Sequence, residues 1–208
     1  MRKYSRGKVQ DIGGSGEKIA TFLHGLSKDE KEEVIKKIGE YIPYISEIKT
    51  KKKSLGWTSF ELIEKYKDNN FTIESQYLSD GLLRIVALAA INKINEKSSI
   101  FLLDEIEDGL NPHLAANLVN DLVRLTEQNN RQVIVTTHSP LILNNFDYTN
   151  IVLIWRCDDG NIKAAPMFSD PELINYLEYM NPGEVWVNYD INDLIKIVDK
   201  PEVVWGVK

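Results

Sequence analysis

Two short apolar runs, each ending in a cluster of polar side chains, constrain this chain more than any other feature. Ile100-Phe101-Leu102-Leu103 leads straight into Asp104 and Glu105, and Val133-Ile134-Val135 leads into Thr136-Thr137-His138-Ser139-Pro140. A strand that is apolar on both faces suits a parallel sheet covered by helices on both sides. Between the runs lies a helical pattern from about Pro112 to Gln128, so strand, helix and strand alternate as such a sheet requires. Both runs are therefore expected to be buried strands. Each then delivers polar side chains to the carboxyl edge of the sheet, where open α/β folds bind ligands.

The residue types at that edge suit phosphate chemistry. A carboxylate such as Asp104 can hold Mg²⁺, directly or through water, because hard cations take oxygen ligands. The adjacent Glu105 can act as general base toward a water, and His138 can bond a phosphate oxygen or the attacking water. A third segment, Leu78-Ser79-Asp80-Gly81-Leu82-Leu83-Arg84, opens a helix. Ser79 caps it, Gly81 leaves backbone room in the first turn, and the free N–H groups with the positive end of the dipole attract an anion. Each segment also has a plainer structural reading. An acid can cap the turn after a strand, a histidine can cap the helix starting near Pro140, and a serine can be an ordinary N-cap.

In their order and spacing these segments resemble the ATP-binding-cassette class of P-loop ATPases. Leu78-Ser79-Asp80-Gly81 resembles the signature loop, and Phe101-Leu102-Leu103-Asp104-Glu105 the Walker B strand. Glu107-Asp108-Gly109-Leu110-Asn111-Pro112 resembles the D-loop and His138 the switch histidine. The Leu-Ser-Asp-Gly form and Gly183-Glu184-Val185-Trp186 are closer to the soluble branch than to transporters. That branch includes RecF, the SMC proteins and the ATPase part of overcoming-lysogenization-defect proteins. The resemblance covers roughly residues 70–190.

The resemblance implies an α/β fold, the C-terminal lobe of a P-loop NTPase, with a mostly parallel sheet flanked by helices and a small antiparallel β meander. It makes residues 1–208 a single partial ATPase domain: a lead-in over 1–77, the motif-bearing core over 78–190 and a tail over 191–208. It implies ATP and Mg²⁺ as cofactors, Asp104 on the metal, and Glu105 and His138 as catalytic residues. Ser79, Asp80 and Gly81 would touch the γ-phosphate of an ATP held by a partner protomer, and Asp108 would contact that partner.

A Walker A loop, Gly-x-x-x-x-Gly-Lys-Ser/Thr, holds the phosphates in this class, and the 208 residues contain no such pattern. Gly13-Gly14-Ser15-Gly16-Glu17-Lys18 departs from it: Glu17 separates Gly16 from Lys18, Ile19 stands where a hydroxyl belongs, and no apolar strand precedes. A helix start is the better reading there, with Ser15 as cap. No Q-loop is recognisable either. The expected partners are thus a Walker A half, from the same longer chain or another subunit, a second copy on ATP binding, and a DNA or nuclease partner. The expected role is an ATPase engine in DNA maintenance or phage defence. The alternative is a regulatory module that keeps the fold without hydrolysis.

The remaining elements are read from pattern and caps. Helices are expected over Ser15–Leu26 and from the capping box Ser27-Lys28-Asp29-Glu30 to Pro43, then strands near 44–51, 57–66 and 70–76. After Pro140 come a short helix, a hairpin of Ile151–Trp155 with Ile162–Ala165, a helix near 171–180 and a less regular tail. A net charge of −6 disfavours nonspecific DNA binding by the whole chain. The basic run Lys49, Lys51, Lys52 and Lys53 reads as a solvated hairpin edge. Trp57, Trp155, Trp186 and Trp205 read as packing residues. Neither His24 nor His113 has a partner at zinc spacing. The lone Cys157, no apolar stretch of membrane-spanning length and no signal-like segment make a cytoplasmic protein the expectation.

Overall fold

The computed structural model describes residues 5–6, 11–94, 99–127 and 131–199. They form two compact units. The first takes in Met1–Ser99, Asp108–Leu110 and Gln128–Arg131, the second Ile100–Glu107, Asn111–Glu127 and Gln132–Lys208.

The first unit is a four-stranded antiparallel sheet with helices packed on it. β1 (Ser5–Arg6) and β4 (Asn69–Glu74) pair with β3 (Trp57–Tyr66), and β2 (Ile45–Lys52) pairs along it from Ile45 opposite Glu64 to Lys52 opposite Thr58. β2 is an edge strand, and its lysines are placed as expected: Lys49 pairs with Glu47 and Lys51 with Glu61. β3 is buried through its middle, with Phe60 and Leu62 fully enclosed. α1 (Ile19–Gly25) packs on β3, and α2 (Lys28–Gly39) packs on β2 and on α3 (Asp80–Ile91). Ile19 and Leu23 of α1, Val34 and Ile38 of α2, and Val86 and Ala90 of α3 are buried at helical spacing. The expected capping box is present: Ser27 accepts from the Glu30 N–H and Glu30 accepts from the Ser27 N–H.

The lead into α1 differs from expectation. Ser15 does not cap a helix; the helix starts at Ile19 with Lys18 at its N-cap. Residues 13–18 turn instead, with Gly13 and Gly16 at φ +80° and +69°. The Ser15 N–H donates to Glu17 and the Gly13 N–H to Asp11, while Lys18 lies 3.2 Å from Asp11. The Gly13 N–H and Lys18 hold the Asp11 carboxyl below its usual range. Main-chain donors that a phosphate loop would offer to a ligand are here taken by the segment's own carboxylates.

The second unit contains β5 (Ser99–Leu103) from Ile100 onward and β6 (Arg131–Val135) from Gln132 onward, paired with their carboxyl ends side by side. The Thr136 N–H donates to Leu103 O, and the Ile106 N–H to Thr136 O. These strands are less buried than their composition predicts: Ile100, Leu102 and Ile134 are 64%, 73% and 50% exposed. Alternate residues turn inward, so among the described residues one face is covered and the other is exposed. α4 (Ala115–Thr126) buries Leu118, Val119, Leu122 and Leu125 and contacts α5 (Pro140–Leu143).

The hairpin of β7 (Val152–Arg156) and β8 (Ile162–Pro166) pairs as expected, Val152 opposite Pro166. α6 (Pro171–Tyr176) is shorter than predicted. The residues read as irregular are two helices, α7 (Pro182–Asn188) and α8 (Ile191–Val198). A core of Leu153, Met167, Phe168, Leu173, Val185 and Leu194 joins hairpin and helices, with Trp155 and Trp186 packed against it. Cys157 is half-buried just past β7, and Trp205 lies outside the described residues. Among the described residues no helix is long and apolar enough to cross a membrane.

Candidate functional site

The carboxyl ends of β5 and β6 are laced together by one side chain. Thr136 follows β6; its Oγ1 donates to Asp104 Oδ1 at 2.5 Å and accepts from the Glu105 N–H at 2.9 Å. This pair of bonds fixes the Asp104 carboxylate and the turn at Glu105 together. Glu105 has φ +44°, a left-handed conformation that costs a side-chain-bearing residue about 1–3 kcal/mol. Strain of this kind persists where neighbouring bonds over-determine it, and the bonds through Thr136 do so here.

Two residues further on, Glu107 reaches back to the loop after β6. Its Oε1 accepts from the N–H groups of His138 (2.9 Å) and Ser139 (3.1 Å) and lies 3.3 Å from His138 Nδ1. The Glu107 side chain is largely buried, whereas the His138 ring is 69% exposed. Sequence reasoning placed Glu107 in the D-loop without a role, because its partners lie 31 and 32 residues away. An acid two positions past the Asp-Glu pair was the only local signal. The second unit thus brings Asp104, Glu105, Glu107, Thr136 and His138 to one strand edge.

Asp108 is exposed at the D-loop, and Gly109 behind it, at φ +71°, belongs to the first unit with the signature segment. Ser79 caps α3, its Oγ accepting from the Leu82 N–H at 3.2 Å. That bond uses an acceptor site and leaves the hydroxyl proton for an anion. Ser79 and Asp80 are exposed, and Gly81 is buried. A Cβ on Gly81 would lie 1.9 Å from Gly109 O, so the room that Gly81 leaves is taken by the D-loop backbone.

The donor set fits a magnesium–phosphate complex. Among the described residues there is no cluster of three metal-ligating side chains, and Mg²⁺ bound to a nucleotide needs only one or two carboxylates besides phosphates and water. Asp104, exposed and steadied by Thr136, meets that need. His24 is placed elsewhere, its Nδ1 2.9 Å from Thr50 Oγ1, with burial and then Lys52 and Lys31 pushing its pKa down. His113 is exposed in the short turn preceding α4.

Behind the site, Gly183 of α7 packs on α5, the helix that the His138 loop enters. Its N–H donates to Asn144 Oδ1 at 2.7 Å, and an added Cβ would lie 2.1 Å from Pro140 O. Gly183→Ala is expected to cost about 2 kcal/mol, since backbone cannot rotate aside. Urea denaturation of the variant measures it, and an unchanged midpoint contradicts the packing. A cavity of about 400 Å³ lies between the end of β6 and β7, walled by Val135, Thr136, Leu153, Met167 and Trp186 among others.

Comparison with known proteins agrees with the architecture. An Smc head domain with coiled coil and joint from Pyrococcus yayanosii matches with a TM-score of 0.54 at 19% identity, over 78% of this chain and 31% of that one. The SmcHead bound to the C-winged helix domain of ScpA matches with a TM-score of 0.52 at 19% identity, over 75% of this chain and 47% of that one. The chain therefore spans about a third to a half of these structures, and the likeness is one of fold. No curated protein matches. The model of one protein family, described as "AAA domain, putative AbiEii toxin, Type IV TA system", matches residues 10–144. That stretch is well over half of the chain, and the chain belongs to this family of AAA domains.

Proposed function

We propose that this chain is the C-terminal part of a Mg²⁺-dependent ATPase of the SMC and RecF type, hydrolysing ATP between two protomers once a Walker A half completes it. The observation that carries the reading is the Thr136 hydroxyl, which ties the Asp104 carboxylate to the strained Glu105 turn at a strand edge shared with His138. Asp104 would hold the Mg²⁺, which would supply neutralisation of charge on the phosphates. Glu105 takes a proton from the water that attacks the γ-phosphorus, the bond to the ADP oxygen breaks, and His138 steadies the water or the phosphate. Ser79, Asp80 and Gly81 meet the γ-phosphate of the partner's ATP, α3 supplying its N-terminal dipole. Asp108 contacts the second copy across the dimer.

Exposed apolar side chains support a missing half. Val152 and Ile154 are 43% and 61% exposed beside the cavity between β6 and β7, a surface suited to an added element. The family's description, which names a toxin of a type IV TA system, favours a role in phage defence over one in DNA maintenance, with DNA or a nuclease as the object of ATP-driven closure.

Calorimetric titration of Mg-ATP tests the reading. The chain alone is expected to give no heat at millimolar ATP, and the chain joined to a Walker A half is expected to bind. Micromolar binding by the chain alone overturns the half-site, and no binding by the completed protein overturns the ATPase.

A further inference from the structure

We propose that Glu107 is the positioning residue of His138: it clamps the backbone of the loop and keeps the neutral ring's proton on Nδ1, leaving Nε2 as a bare acceptor. One carboxylate oxygen, Oε1, accepts from two successive N–H groups, those of His138 and Ser139, and stands 3.3 Å from Nδ1 of the same histidine. A negative oxygen at that distance favours an N–H toward it and repels a lone pair, so the Nδ1–H tautomer gains over the Nε2–H form that free histidine prefers.

Packing alone does not account for this acid. Glu107 Oε2 is buried and has no hydrogen-bond partner among the described residues. Such an oxygen is a cost to folding, and a neutral carbonyl could accept from the same two N–H groups. What the charged group adds is orientation of the loop and of the ring, whose other edge is exposed.

The tautomer has a chemical consequence, and this step rests on the proposed hydrolytic role of His138. A neutral ring with Nε2 bare accepts a hydrogen bond from water and cannot donate one to a phosphate oxygen. His138 then orients the attacking water toward Glu105, and contact with phosphate as a donor requires the protonated ring.

Long-range ¹H–¹⁵N correlation spectra of the histidine rings test the proposal on this chain, without nucleotide and at a pH where imidazole is neutral. There are three histidines, and His138→Gln identifies the signal. The wild type is expected to show Nδ1 as the N–H nitrogen of His138. In Glu107→Gln the side-chain carbonyl still accepts from the two backbone N–H groups, but the charge is gone. The tautomer ratio is expected to move several-fold toward Nε2–H while the Ser139 amide keeps its shift and His113 is unaffected. Glu107→Ala is expected to lose both the ring preference and the His138 amide position, whereas the Ser139 N–H keeps a second acceptor in Thr137 Oγ1 at 3.1 Å. A wild-type ring in the Nε2–H form, or a ratio that Glu107→Gln leaves unmoved, overturns the proposal. If Glu107→Ala does not fold, the wild-type and Gln spectra decide alone. Because no ATP is involved, failure here is separable from failure of the ATPase reading.

Discussion

Glu105→Gln is expected to lower ATP turnover of the completed protein roughly 10²–10⁴-fold, the worth of a positioned general base, while leaving the stability of this chain within about 0.5 kcal/mol of wild type. Glutamine has the shape of glutamate and keeps the N–H that donates to Thr136 Oγ1, so the turn at φ +44° and the hold on Asp104 survive. What the substitution takes from the proposed reaction is proton acceptance. ATP should still bind and dimers should accumulate in the ATP state, because the proposed reading gives the phosphate and metal contacts to other groups. Single-turnover hydrolysis beside ATP binding reads the two quantities separately. Normal turnover by the mutant removes Glu105 from the role of base, and loss of ATP binding assigns it to the nucleotide's hold rather than to chemistry.

The parts of the fold set by local chemistry could be read from the chain. Ser27 with Glu30, and Ser79 before the α3 pattern, announce helix starts within four residues, and both caps form. The Asp158-Asp159-Gly160-Asn161 turn announces the β7–β8 hairpin, in which Asp159 accepts from Asn161. Local geometry overrides one signal: Ser15 looks like a cap, but the chain turns through left-handed Gly13 and Gly16 on either side of it, and the helix begins at Ile19. The signals for α7 and α8 were present and went unread. Asn181-Pro182 opens α7, with the Asn181 N–H donating to Glu184 Oε2 at 2.7 Å, and Asp190 caps a helix that buries Leu194 and Val198.

Non-local relations were out of reach. Periodicity says that Ile100, Leu102 and Ile134 are apolar, which fits burial on both faces, but whether anything covers them depends on what else the fold contains. For the candidate site, residue types and order pointed to Asp104, Glu105 and His138. The tie through Thr136 and the clamp by Glu107 span about thirty residues and have no periodic signature. A threonine at a strand end and an acid in a loop are too common to be singled out by type.

Gly81 separates the structural from the ligand-binding reading of the signature segment. Alanine at a helix position ordinarily stabilises by about 1 kcal/mol relative to glycine. Here the added methyl would sit 1.9 Å from Gly109 O and 2.7 Å from its carbonyl carbon. Gly109 is itself in a left-handed conformation and is backbone, so it cannot swing away as a side chain would. Gly81→Ala is therefore expected to destabilise the chain by about 2 kcal/mol, the overpacking cost exceeding the gain in propensity. Gly39→Ala is the control: Gly39 ends α2 with nothing within 4 Å of an added Cβ, so its midpoint in urea should hold or rise. Equal stability of Gly81→Ala and wild type contradicts the close approach, and leaves contact with a phosphate as the sole reason for a glycine there. The expected loss, seen with no nucleotide present, means that Gly81 first seats the D-loop and with it Asp108. The signature glycine would then act on a partner's ATP partly through the D-loop backbone that it admits.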